Sequence, residues 1–388
     1  MIRLTRAVSV STFDVEATVA VGRDRPEFLA VARLAADLAR PIGARDVLRE
    51  LLGPRPDVLG RRVIERCVGL GLLEPVGKNG DARLSEAGTV ALNRGQVLVP
   101  EEGVWRFFVV DDPLVPGAVI HAERLQTDSA RKERGVAKDA RTRGERPPQP
   151  ARPPELLRQS VGAVPRESSQ TGHLFQLLAL GEGGTPGPAG EVRLLFSWDA
   201  EPSTRLLGHL PSDDAVPAAK AIDAPVQLPE LVGRLRYEGL WKALVARGAG
   251  TSVEELDRWR TVAGGPVVPA PFLSVPEAAR HTFRRDVDVP ASDLDGLGRF
   301  EPTVVKDVHI VPASGSDAQA WLEWLQWEAI NDYVTPTLLD ARRSEQTARF
   351  PHHQPRALSS TELLAKARAE RGDRAWFLLG PSDLGLWS

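Results

Sequence analysis

The segment from Gln126 to Val164 places the strongest constraint on what this chain can fold into. Its first half alternates positive and negative side chains with little apolar spacing, and its second half carries Pro147, Pro148, Pro150, Pro153 and Pro154. Proline fixes φ and lacks the N–H that helices and sheets use, so such a run reads as a flexible, net basic linker. The chain is therefore expected in three parts: a unit at 1–125, the linker at 126–164, and a larger unit at 165–388. The 388 residues are enough for two units of ordinary domain size.

Composition removes several classes. A single cysteine, Cys67, allows no intramolecular disulfide and no cysteine-rich zinc cluster, which fits a reducing cytoplasm. No stretch approaches the roughly 20 apolar residues of a membrane span, and the first residues lack the apolar centre of a secretion signal. A cytosolic protein with no membrane partner is expected. Only seven of the 49 basic residues are lysine, a skew typical of a GC-rich coding genome, so arginine abundance by itself says little about nucleic acid. The formal charge of −3 gives no global field for DNA, and any such contact needs a local basic patch.

Within 1–125, Arg25–Ala39 spaces Phe28, Leu29, Ala32, Leu34 and Leu38 for one helix face, and Pro41 stops it. A short helix over Ala44–Leu52 and a third over Asp57–Leu70 follow, with Asp57 as cap and Gly71 as stop. Leu72–Val76 and Ala82–Leu84 read as two short strands around Gly77-Lys78-Asn79-Gly80-Asp81. The string Val63–Glu74, then Lys78-Asn79-Gly80, then Leu84-Ser85-Glu86-Ala87-Gly88, resembles the winged helix-turn-helix family over about residues 25–95. The resemblance implies three helices, a hairpin wing and a further helix. Two apolar runs after it, Val104–Val110 and Ala118–Leu125, are joined by Asp111-Asp112-Pro113-Leu114-Val115-Pro116-Gly117 and predict an added β-hairpin packed on this unit.

The 165–388 unit opens with strand-like runs at His173–Leu180, Glu191–Trp198 and Thr204–Leu210, which predict an antiparallel meander with GEGGTPGPAG as its first turn. Helical patterns follow at Leu228–Arg247 and Ser252–Val262. Ser252/Glu255, Ser274/Glu277 and Ser359/Glu362 have capping-box spacing. Strands are expected at Arg284–Val289 and Val304–Val311, a long helix from Ser314 or Ser316, and further helices at Thr337–Thr347 and Ser359–Arg371. Trp376-Phe377-Leu378-Leu379 reads as buried. Strands and helices without regular alternation define an α+β fold class.

Enzyme signatures are largely missing. There is no phosphate loop, dinucleotide glycine pattern, H-E-x-x-H or G-x-S-x-G. None of the seven lysines has Asp, Glu or His two positions before it, so the D/E-x-K and H-x-K nuclease pairs are absent. Asp286, Asp288, Asp293 and Asp295 could hold magnesium, or could decorate an exposed strand and turn. His352-His353 lies between prolines as a loop or a ligand pair. Cys67, among Val63, Ile64, Val68 and Leu70, reads as a buried structural thiol. No cofactor is assigned.

In a winged helix the third helix enters the major groove and the wing touches the backbone. The resemblance therefore makes Arg55, Arg61, Arg62, Arg66, Lys78, Asn79 and Arg83 candidate contacts to double-stranded DNA, although many winged helices bind only proteins. Trp324 and Trp327 turn toward the polar side of their helix and are candidate partner anchors or core residues. The expectation is a non-enzymatic DNA- or protein-binding accessory subunit of a bacterial complex. A magnesium-dependent nucleic-acid enzyme in defence or repair, and a structural subunit without nucleic acid, stand as alternatives.

Overall fold

In the computed structural model the described residues are 1–77, 80–115, 117–125, 150–212, 221–226, 228–233, 235–370 and 372–385. The fold is mixed, with antiparallel sheets and helices in comparable shares. Its centre is one 22-residue strand, β1 (Ile2–Arg23). Side chains on a strand alternate between faces, and here Ile2, Leu4, Val8 and Val10 point into one core while Phe13, Val15, Ala17 and Val19 point into another on the opposite face. Thr12, Phe13, Asp14 and Val15 are buried in succession, so the strand is covered on both sides where the two cores overlap.

β4 (Val97–Val110) pairs antiparallel with β1 from Val10↔Val110 to Arg23↔Val97, and β5 (Val119–Arg124) pairs with β4. The other edge of β1 is filled by two strands in line. β7 (Leu174–Pro186) lies against Phe13–Val21, and β8 (Gly190–Trp198) against Ile2–Val10. The glycine-rich run between them is therefore not a hairpin turn. Residues 181–186 are strand, Gly187 N–H donates to the Thr12 carbonyl (2.9 Å), and the Thr12 hydroxyl donates to the Pro188 carbonyl (2.7 Å). The glycines serve close approach, since a Cβ on Gly184 would lie 2.2 Å from the Asp14 carbonyl oxygen. β9 (Pro202–His209) and β10 (Ala221–Val226) continue the sheet beyond β8, and β6 (Arg166–Glu167) pairs with β7. The expected meander survives only as β8–β9.

The expected division at 126–164 does not divide the fold. Strands from both sides of it form one sheet, and β4–β5 belong to that sheet rather than to a hairpin on the helical unit. Residues 126–149 lie outside the described residues. The remainder of the expected linker is folded: Ala151 and Gly184 exchange backbone hydrogen bonds of 2.9 Å, and α5 (Glu155–Gln159) buries Leu157 against Phe13, Val15 and Phe107. Its prolines cap the helix and border the sheet, places where a missing N–H costs nothing.

The helical unit fills the connection between β1 and β4. α1 (Pro26–Leu38), α2 (Ala44–Val47, continued by a π-turn over Leu48–Leu52), α3 (Asp57–Gly69), β2 (Leu73–Val76), β3 (Asp81–Leu84) and α4 (Glu86–Arg94) enclose Val31, Ala35, Ile42, Ile64, Cys67, Leu72 and Ala91. Ser85 caps α4, its Oγ accepting from Gly88 N–H (2.8 Å), and Ile42 bridges to Ala82 beside the β2–β3 hairpin. Gly60 lets α3 cross α2, because a Cβ there would meet the Ala44 carbonyl at 2.6 Å.

The rest of the chain packs beneath the β1–β8–β9 face. α6 (Glu230–Gly233), α7 (Tyr237–Ala249), α8 (Val253–Ala263), β11 (Val268–Ala270), α9 (Glu277–Thr282), β12 (Arg284–Val289), β13 (Ser292–Leu294), β14 (Gly298–Phe300), β15 (Thr303–Pro312) and α10 (Gly315–Glu328) supply Leu244, Val245, Val287, Val308 and Trp321 to that core. α11 (Pro336–Ala348), α12 (Ser360–Glu370) and α13 (Asp373–Asp383) enclose a smaller core around Val334, Leu363 and Leu378. Trp376, expected buried, is 67% exposed because α13 turns only Ala375 and Leu378 inward at that point. The Ser274/Glu277 box does not form either: Ser274 Oγ donates to the Pro271 carbonyl, and Pro276 precedes the helix.

Where the two cores meet, Asp14 and Arg106 face each other across β1 and β4 in a buried bidentate pair with both contacts at 2.7 Å. Asp14→Asn removes the charge of this buried pair and is expected to destabilise the fold by a few kcal/mol. Urea unfolding should show it as a lower midpoint with an unchanged slope.

Candidate functional site

α3 is held by one face. Gly60, Ile64 and Cys67 are buried, and Val63 and Val68 pack beside them. The 3.6-residue period then sends Arg61, Glu65, Arg62 and Arg66 outward in that angular order, with Leu59, Arg62 and Arg66 forming one stripe. Arg55, Arg61, Arg62 and Arg66 are all exposed, and none has an ion pair or side-chain hydrogen bond with a described residue. Most other exposed arginines of the unit are paired: Arg40 with Asp46 (2.8 Å), Arg49 with Glu50 (2.7 Å) and Arg83 with Glu74 (3.1 Å). Arg83 is thus partly neutralised, while Lys78 and Asn79 lie outside the described residues.

At the start of α3, a shallow hollow of about 390 Å³ is lined by Arg45, Leu48, Arg49, Gly53, Pro54, Arg55 and Asp57. Leu51, Leu52, Val58 and Leu59 are exposed around it. The surface offers unpaired guanidinium forks, which suit phosphate oxygens and guanine edges, beside methyl groups that suit apolar contacts. Pro56, rather than Asp57, is the cap residue of α3, and Asp57 opens the first turn.

The unit's conformation is tied to one carboxylate. Asp46 accepts from Arg40 and from the Gly43 N–H (3.0 Å), and these bonds hold it down at a pKa of about 2. A depressed carboxyl contributes stability that is complete above its unfolded pKa near 4 and is lost as pH falls through about 2. Urea midpoints measured from pH 7 to pH 2 should fall in that window, and Asp46→Asn should lower the neutral-pH midpoint while removing part of the acid slope.

Cys67 is fully buried, and burial pushes its thiol up to about 11. Native protein at pH 7.5 should resist iodoacetamide over hours and react within minutes once unfolded by urea; mass spectrometry reads both.

The other candidates are placed differently. Asp286 and Asp288 lie on the exposed face of β12, Asp293 and Asp295 are exposed nearby, and no three of these carboxylates converge. Asp286 instead accepts the Asp307 N–H (3.0 Å). His353 Nε2 bonds the Pro312 carbonyl (2.9 Å) and its ring leans on Trp259, so it serves the loop. Trp324 lies between Arg280 and His281, and Trp327 sits under the Lys366 ammonium. Both rings are half-buried and used within the chain, because neighbouring segments cover the polar side of α10.

A Ser–His pair that sequence spacing hides joins β5 to the β6–β7 turn: His121 Nδ1 meets Ser168 Oγ at 2.6 Å, both buried. Ser168 Oγ also accepts from the Gln170 and Thr171 N–H groups, which ties the pair into the turn between β6 and β7. No family model, curated protein or solved structure matches the chain.

Proposed function

We propose that residues 26–94 form a winged-helix module that grips double-stranded DNA through the outward face of α3, and that the large sheet and its helices carry it as an accessory, non-catalytic subunit. The supporting observation is the set of four exposed arginines, Arg55, Arg61, Arg62 and Arg66, left without ion-pair partners among the described residues of a unit whose other arginines are mostly paired. Leaving cations unpaired on one face keeps their charge available to phosphate, where each contact releases condensed counterions. The helix order, the β2–β3 hairpin and the Ser85-capped helix after it support the module assignment. Arg83, with Lys78 and Asn79, would act from the hairpin.

A second reading is favoured by Leu51, Leu52, Val58 and Leu59, whose exposure beside the arginines also suits a protein surface. Fluorescence anisotropy with random 20-base-pair duplexes separates the two. Under the DNA reading, affinity falls steeply with salt, and Arg62→Ala with Arg66→Ala weakens binding about tenfold or more and lowers the log–log salt slope by about 2. Salt-insensitive binding, or none at 50 mM salt, would transfer the surface to a protein partner.

A further inference from the structure

The geometry points to a divalent transition-metal site, of the zinc class, formed by Glu277, His281 and Glu328. Glu277 and His281 lie four residues apart and so share one face of α9, while Glu328 closes α10 opposite them. One ligand atom from each lies within 4.8 Å of the other two, and among the described residues this is the single convergent group of three or more metal-binding side chains. Tetrahedral zinc with bonds of about 2.1 Å separates its ligands by roughly 3.4 Å, so chelation requires closure by about an ångström, within the rotamer reach of the exposed Glu277.

Two things set this triad apart from an ordinary surface cluster. The first is that it contains an imidazole held from behind. The His281 ring packs on Trp324 with centroids 4.6 Å apart, its carbonyl accepts from Arg349 (2.5 Å), and the neighbouring Arg280 carbonyl accepts from Trp321 Nε1 (3.0 Å). The second is an asymmetry of partners. Arg374 fixes one oxygen of Glu328 and the Glu328 carbonyl, yet the Glu277 carboxylate and both His281 ring nitrogens have no hydrogen-bond or ion-pair partner among the described residues. Two carboxylates and an imidazole converge with one guanidinium bonded to Glu328, a donor set that suits a dication. Nitrogen with two oxygens suits zinc, whereas magnesium and calcium demand larger all-oxygen shells. Bound metal would tie α9 to the end of α10 and leave at least one coordination position for water.

The test is calorimetric titration of EDTA-treated full-length protein with zinc chloride, paired with thermal unfolding. One saturable equivalent and a raised melting temperature are expected. His281→Asn and Glu277→Gln, both exposed and outside the cores, should each weaken zinc at least about tenfold while leaving metal-free melting unchanged. His352→Asn, which removes a histidine outside the triad, should bind as the parent does. Millimolar magnesium should not displace zinc. Absent saturation, affinity that survives His281→Asn, affinity lost in His352→Asn, or displacement by magnesium would each overturn the proposal.

Discussion

The rest of the molecule depends on a change of face within one strand. β1 gives its even side chains to one core up to Val10 and its odd ones to another from Phe13 onward. A sheet buried on opposite sides at its two ends must pass through a stretch buried on both, and there the polar residues of the apolar face need internal partners. Asp14 and Arg106 supply each other at that place, as Arg6 and Asp112 do nearer the start of the strand. Each pair is worth little over a well-packed apolar pair, but either charge left alone inside would be severely destabilising, so the pairs select one register of β1 against β4.

That register places the helical unit. Arg23 and Val97 are cross-strand neighbours, and everything between them leaves the sheet and returns to it at adjacent positions. The unit can therefore present α3 without any of the α3 arginines taking part in holding the sheet. Their freedom from ion pairs follows from the same division: α3 is held by Ile64 and Cys67 on its buried face, away from Arg62 and Arg66.

Local signals in the sequence were legible where local chemistry decides. Ser252, Ser314 and Ser359 each accept the N–H three residues on, and the helices they start begin within a residue or two of the spacing that predicts them. The central strand β1 is not among the expected elements, because the alternation Ile2, Leu4, Val8, Val10 switches to Phe13, Val15, Val19 and looks like broken periodicity until both faces are seen. The glycines at 181–190 mislead for the same reason. Glycine signals a turn when only its neighbours matter, whereas here it answers to the Asp14 carbonyl some 170 residues earlier. Of the candidate contacts, the helix period was enough to place Arg62 and Arg66 together. It could not show that Glu74 partly neutralises Arg83, nor that segments distant in sequence cover Trp324 and Trp327.

The placement of β1 has a cost in time. It is the first of these strands to be synthesised, yet the partners of its first half arrive late: Ile2 pairs with Trp198, and Thr5 is bonded to Glu301, 296 residues away. During translation the alternating Ile2–Val10 stretch must wait for β8 with that edge open, while the helical unit, whose core lies within residues 28–99, can close at once. Loop-closure entropy makes such a sheet slow to form, and an unpaired apolar strand is a template for wrong partners. The unit between Arg23 and Val97 shortens that exposure, because by folding early it brings β4 alongside β1 and covers one edge long before β7 and β8 exist.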